Sequence, residues 1–219
     1  NALREYAEIS DFLGNAGDAA WARRWYEKVR VGYEAFWDSG RGTHVDQIVA
    51  GVPQPMASQI AGALAVVSGL APEDRWQRVV EWIGEPSRQV VRSWIGGQGG
   101  YDITKILEQV RGVQRIDWDA ENETVVAMPF AAFLVHDAYA KAGRPDLLLS
   151  SLRRWSFFLA DGYDTFGENW GWGTPVHGWS STPSRDLVQV ILGVTPGAPG
   201  FATARISPAY GHVATMSGS

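Results

Sequence analysis

Cysteine is absent from the 219 residues, which excludes disulfides and thiolate metal sites and leaves the compartment open. No apolar run reaches the roughly 18 residues a membrane span needs, so no membrane partner is expected. Positive charge is short: 19 Lys and Arg stand against 24 Asp and Glu, a formal net charge of −5 with no basic footprint for nucleic acid. The four histidines, His44, His136, His177 and His212, are too scattered for a histidine-rich metal site. The first residues carry neither the basic region nor the apolar stretch of a signal peptide. Asn1-Ala2 reads as a tag-cleavage remnant, which points to a piece cut from a longer chain.

What is present is apolar and aromatic. The chain is 45% apolar, enough for a sizeable core and too much for disorder. Eleven tryptophans exceed what such a core needs, and the excess favours a sugar or another flat, partly apolar ligand. The densest stretch is TFGENWGWGTPVHGWSSTP, residues 165–183. It sets Glu168, Trp170, Trp172, His177 and Trp179 among glycines and prolines, a spacing that reads as a loop. Indole faces stack on the C–H face of a pyranose, and a carboxylate beside them moves a proton or activates water. The pattern points to the active-site loop of a glycoside hydrolase.

The rest reads as helices. Trp21, Trp25, Val29, Tyr33 and Trp37 recur at four-residue spacing and predict a helix over about Asp18 to Trp37. Ile60, Leu64 and Val67 mark a second, ending near Gly69. Pro72, Glu73 and Asp74 form the first turn of a third, with Trp76, Val79, Val80 and Ile83 inward, broken at Gly84-Glu85-Pro86 before Val90, Val91 and Trp94. Phe130, Phe133, Leu134 and Tyr139 lie on a helix closed by Gly143, and Pro145 starts the next, with Leu148, Leu152, Trp155 and Leu159 inward. Thr182-Pro183 begins a last helix through Leu187, Val190 and Ile191 to Gly193. Short turns between consecutive helices predict antiparallel hairpins. After Gly193, TPGAPGF reads as a linker and Ala204 to Ile206 as a single strand, which needs a partner for its ladder. The chain reads as cut off inside a β-domain.

Two segments match a known pattern. MPFAAFLVHDAYAKAGRPDLLLSSLRRWSFFLADGYDTFGENW, then VHGWSSTPSRDLVQVILGVTPGAPGFATARISP, resembles bacterial α-L-rhamnosidases of glycoside hydrolase family 78 and their six-hairpin relatives. The family shows a T-x-W-E-like motif, then H-G-W-S-S-x-P, then I-L-G-V-x-P-x-x-P-G-F leading to a strand that ends I-x-P. The match covers residues 128–208, and residues 18–83 fit more loosely. It implies an all-α fold: part of an (α/α)6 toroid of helical hairpins, followed by the first strand of a truncated β-domain. Residues 1–194 would be the C-terminal part of the catalytic domain, and 195–219 a linker and the start of a β-sandwich.

The resemblance also implies inversion by a single displacement, without metal or organic cofactor. Glu168 matches the motif's general base, which activates water about 6.5–9.5 Å from the acid. Gly167 stands where the family has tryptophan. The family's general-acid motif, D-x-x-x-R-D-E, has no counterpart in these residues, so the chain would hold half of the catalytic pair and be inactive alone. The partners implied are a carbohydrate substrate and the missing N-terminal part of the toroid.

Plainer readings stand beside these. Glu168 could cap a helix, and His177 could be a structural hydrogen bonder rather than a contact to a sugar hydroxyl. Of Trp170, Trp172 and Trp179, at least one should only pack the loop, and Trp179, just before the Thr182-Pro183 helix start, is the expected one. DWDAENE, with Asp117, Asp119, Glu121 and Glu123, starts like a calcium loop but has Asn122 and Met128 where glycine and glutamate belong. Asn122-Glu123-Thr124 is a glycosylation triplet of a kind common by chance. GGQGGY lacks the lysine of a phosphate loop and reads as a turn, with Tyr101 and Trp118 as remote sugar contacts. A catalytically silent sugar-binding domain, or another (α/α)6 glycosidase acting on glucosides or uronides, would share the helix pattern.

A partial toroid leaves apolar helix faces without partners. By light scattering the chain is therefore expected to form a homodimer, or, as a monomer, to bind an apolar-surface dye. A monodisperse monomer without dye binding would contradict a missing half-barrel.

Overall fold

A computed structural model describes residues 1–91, 118–160, 162–170, 173–209 and 213–217. Helix α1 (Ala2–Phe12) folds back on α2 (Ala16–Tyr33). Two short hairpins follow, β1 (Trp37–Asp38) with β2 (Thr43–His44) and β3 (Ile48–Val49) with β4 (Val52–Pro53). Helices α3 (Gln59–Ser68) and α4 (Trp76–Gly84) come next. Strand β5 (Gln89–Val90) pairs in parallel with β6 (Thr124–Val125). Then come α5 (Ala132–Lys141), α6 (Pro145–Leu152), α7 (Ser156–Ala160) and α8 (Thr182–Asp186), the last continuing as a π-turn over Leu187–Ile191. Strands β7 (Val194–Pro196) and β8 (Ala204–Ile206) close the fold as an antiparallel hairpin. The molecule is mostly helical, as its periodicity predicted. No described helix is long and apolar enough to cross a membrane.

Helix direction sorts the connections into two ends. Leu13–Asn15, Gly69–Pro72 and Ala142–Arg144 are short and lie at one end; the described residues of the longer connections, 34–58, 85–91, 118–131, 162–170 and 173–181, lie at the other. Helices α3 and α5 pack side by side and run the same way. Ser58 bridges Val125 near their starts, and the Lys141 ammonium donates to Val66 and Val67 carbonyls near their ends. Helix α8 packs beside α5 in turn. The core among them is built from Val66, Val79, Val80, Ile83, Val135, Tyr139, Leu148, Trp155, Phe158 and Trp170.

Several helix faces differ from the expected ones. Trp21, Trp25 and Val29 were expected inward, yet each is about half exposed (46%, 44% and 44%). The buried stripe of α2 is Ala19 and Ala22, small enough for α1 to approach, with the Tyr26 hydroxyl donating to the Ser68 and Gly69 carbonyls. The indoles lie on the other side, where Tyr6 meets Trp21 edge-on. Helix α2 also stops before Trp37: Glu34–Phe36 tighten into a 3₁₀ turn and Trp37 enters β1. Leu159 points to solvent because the 3₁₀ turn Arg153–Trp155 shifts the helical phase and brings Phe158 inward instead. Gln89–Val90 is strand rather than helix, since Pro86 follows the break at Gly84. The strand expected to stand alone, Ala204–Ile206, finds its partner in Val194–Pro196, part of the predicted linker. Gly193 makes the pairing possible: at φ +68, a Cβ there would sit 2.0 Å from the Ser207 carbonyl oxygen. Trp94, Tyr101, Asp117 and His212 lie outside the described residues.

His44 is buried between Tyr33, stacked at 5.2 Å, and Trp37 at 5.0 Å, with no hydrogen-bond partner for Nδ1. Burial, reinforced by the Arg75 charge, pulls its pKa from 6.5 down to about 4. The folded state thus disfavours a proton that the unfolded chain accepts below its own pKa. Stability is full above pH 6.5 and falls as pH drops toward 4, by on the order of 2–3 kcal/mol. Chemical denaturation of His44→Phe across this window is expected to show a markedly flatter pH dependence than wild type. An unchanged slope would locate the titration elsewhere.

Candidate active site

The loop carrying Glu168 is a closed hairpin. The His177 amide donates to the Phe166 carbonyl at 2.8 Å, the Glu168 amide to the Thr174 carbonyl at 2.9 Å, and the Thr165 hydroxyl to the Pro175 carbonyl at 2.9 Å. The Glu168 carboxylate accepts the Thr174 amide through Oε2 at 3.2 Å, while Oε1 has no partner among the described residues. Gly173 is required beside it: at φ +95, a Cβ would come within 2.7 Å of the Asn169 amide and 3.2 Å of Glu168 Oε2. At Gly167, where the family pattern has tryptophan, an added Cβ would lie 2.9 Å from the Phe158 ring, so the position holds no side chain without repacking.

The aromatic residues of this stretch divide unexpectedly. Trp170 is 2% exposed and is a core residue, not a wall of the site. It stacks on Phe158 at 5.6 Å, meets Trp155 edge-on at 5.1 Å, and its Nε1 donates to the Ala127 carbonyl at 2.9 Å. Trp179, expected to pack, is 77% exposed. It sits within the 3₁₀ turn Gly178–Ser181 that opens α8, where the edge of His177 meets the indole at 6.1 Å. His177 also meets Phe130 edge-on at 5.9 Å and faces the Ser180 hydroxyl through Nδ1 at 3.4 Å. Trp172 lies outside the described residues. Phe130, Phe133, Leu134, Trp179, Ser181, Thr182 and Arg185 line an open groove of about 610 Å³ between α5 and α8. The structure thus brings Glu168 and His177 onto one hairpin and sets Trp179 at the groove beside it.

Sequence reading missed the charged centre below this groove. His136 Nδ1 lies 2.6 Å from Asp186 Oδ2, both fully buried, and His136 Nε2 lies 3.0 Å from the Ser151 hydroxyl. Asp186 also accepts from Thr182 at 2.6 Å and from Arg185, which reaches Asp137 at 2.5 Å. Burial raises the Asp186 pKa, but the His136, Thr182 and Arg185 contacts outweigh it and leave the carboxyl below its usual range. Serine, histidine and aspartate in this order imitate a nucleophilic triad. The chain of bonds ties α5, α6 and α8 together. The only sequence signal was a histidine and an aspartate on otherwise apolar helix faces. The DWDAENE turn closes on itself: Asp119 accepts from Glu121, Asn122 and the Asn122 side chain, and its own amide donates to Glu123. Among the described residues no group of three or more His, Asp and Glu side chains forms a metal site.

No protein-family model matches the chain, and no curated protein does. Among solved structures, the fold is similar to that of a GH78 family rhamnosidase of Bacillus sp. GL1. The TM-score is 0.66 and the identity 22% over 94% of this chain, which spans 20% of the length of that enzyme. The fold is therefore like that of part of a glycoside hydrolase.

These environments separate by denaturation. Asp186→Ala is expected to cost about 3–5 kcal/mol, since it leaves His136 and Arg185 without their buried partner. Trp170→Phe should cost about 1–3 kcal/mol for the stranded Ala127 carbonyl. Trp179→Ala should stay within about 0.5 kcal/mol of wild type. A large loss at Trp179 would make it a packing residue after all.

Proposed function

We propose that this chain is the base-bearing part of an inverting glycoside hydrolase acting on terminal α-L-rhamnosides. The observation that carries the reading is the pairing of residues 165–168 with 174–177, which holds Glu168 at the loop end of the helices, with His177 on the other arm. Trp179 stands open at the adjoining groove. The sequence match to the family's base motif and the fold shared with a GH78 rhamnosidase support the same reading.

In this mechanism Thr174 orients the carboxylate through Oε2, and Oε1 takes the proton of a water that attacks the anomeric carbon. The leaving oxygen receives its proton from an acid outside these residues, so the 219-residue chain alone turns over nothing. Trp179 offers its indole to the C–H face of the sugar, and His177 donates to a hydroxyl. The exposed apolar residues of α1 and α2, Ile9, Phe12, Trp21 and Trp25 among them, are the face that the remaining toroid helices or a second copy would cover. On this reading the β7–β8 hairpin is the joint to a β-sandwich.

A second reading, a silent sugar-binding domain, is favoured by the same Thr174 bond, because a carboxylate that closes its own loop has a structural use without chemistry. Turnover of an aryl α-L-rhamnoside by the protein that carries this chain, wild type against Glu168→Gln, decides. Loss of the base is expected to slow turnover about 10²–10⁴-fold with binding intact. Near-wild-type activity would move the base elsewhere. No turnover of aryl rhamnosides, glucosides or uronides by the wild type would leave the silent domain.

A further inference from the structure

A second groove, of about 640 Å³, opens at the same end of the fold between the β1–β2 hairpin, the β4 segment and the 118–123 turn. Its volume lies in the range of small-molecule sites. Phe36, Val45, Pro53 and Pro55 give it an apolar floor, and Trp37, Arg41, Gln54 and Glu121 its polar edge.

Arg41 builds it. Its Nε pairs with Asp38 at 2.7 Å, and its Nη1 donates to the carbonyls of Pro55 (2.6 Å), Ala120 (3.2 Å) and Glu121 (3.4 Å), joining three separate segments. Both Asp38 oxygens are taken, by the Gly40 and Arg41 amides and the Arg41 side chain. Two donors, Trp37 Nε1 and Arg41 Nη2, and two acceptors, Gln54 Oε1 and the Glu121 carboxylate, have no protein partner among the described residues.

We propose that this groove binds a neutral saccharide unit, separate from the one handled at Glu168. Unused donors and acceptors around an apolar floor match a polyol, whose hydroxyls do both and whose C–H face is apolar. An anion fits poorly, because Asp38 neutralises Arg41 and Glu121 adds negative charge. The Trp37 indole packs against the Arg75 guanidinium at 4.5 Å, the Arg78 guanidinium at 5.7 Å and the His44 ring at 5.0 Å, so its N–H, rather than a ring face, is what it has to offer a ligand.

The groove and the Glu168 hairpin flank one segment. Arg41 holds residues 120 and 121, and six residues on the Ala127 carbonyl receives Trp170. The inference extends the saccharide reading, since a chain seated at Trp179 and continuing along this end would reach the groove, but it uses neither Glu168 nor turnover.

The test is a ¹⁵N titration of the 219-residue chain with neutral di- to tetrasaccharides of rhamnose, glucose and mannose, following the Trp37 indole N–H. Trp37→Phe assigns that signal. One oligosaccharide is expected to shift it saturably, and the rim double variant Gln54→Leu with Glu121→Gln to weaken this at least tenfold with an unchanged melting temperature. Trp179→Ala should leave it intact, and inorganic phosphate should not compete. A Trp37 signal unmoved by every saccharide, a shift abolished by Trp179→Ala but not by the rim variant, or displacement by phosphate would overturn the proposal. Loss of catalysis in Glu168→Gln is read separately and bears only on the base.

Discussion

The backbone of Ala127 holds the site end of the molecule together. Its N–H donates to the Gln59 side chain at 3.0 Å and its carbonyl accepts the Trp170 indole at 2.9 Å, while Gln59 Nε2 donates to the Ile83 carbonyl at 2.8 Å. Gln59 and Trp170 are both buried. A buried amide that loses its partner costs about 1–3 kcal/mol, so each bond enforces the next. Through this chain the start of α3, the end of α4, the strand before α5 and the Glu168 hairpin share one frame. The Glu168 hairpin is thus anchored by a tryptophan two residues away that is buried in the core.

How much of this was legible depended on the kind of information. Helix ends were written locally: Pro72, Pro145 and Thr182-Pro183 start helices, and the Gly84-Glu85-Pro86 break falls where expected. Helix faces were less so. A tryptophan at four-residue spacing marks an apolar stripe, but Ala19 and Ala22 also make one, and close approach of α1 chose the smaller side chains. Trp170 and Trp179 show the same limit within one loop. Both sit among glycines, and only the three-dimensional path, which puts Ala127 under one and solvent over the other, tells core from surface. The His136–Asp186 bond joins residues 50 apart, and a polar residue on each of two apolar helix faces does not say that the two meet.

The two acidic centres near α8 contrast in setting. Asp186 is wholly buried and bound by a histidine, a threonine and an arginine, which fixes it as an anion and uses all its lone pairs in packing. Glu168 is only partly buried and spends one oxygen on the Thr174 amide. A group that must accept a proton during a reaction needs the second arrangement, and a group that must hold helices together needs the first.

The segregation of short and long connections between the two ends has a consequence for how such a chain can change over time. Three-residue turns such as Leu13–Asn15 and Ala142–Arg144 tolerate little drift in length without reorienting a helix pair. The described residues of the connections at the other end carry two-residue strands and single 3₁₀ turns and lie outside the helix register. Insertions and new side chains can accumulate there without disturbing α3, α5 or α8. Selection for a new ligand therefore acts on one face of the molecule while the other conserves the scaffold, so that recognition and foldability evolve as nearly independent traits.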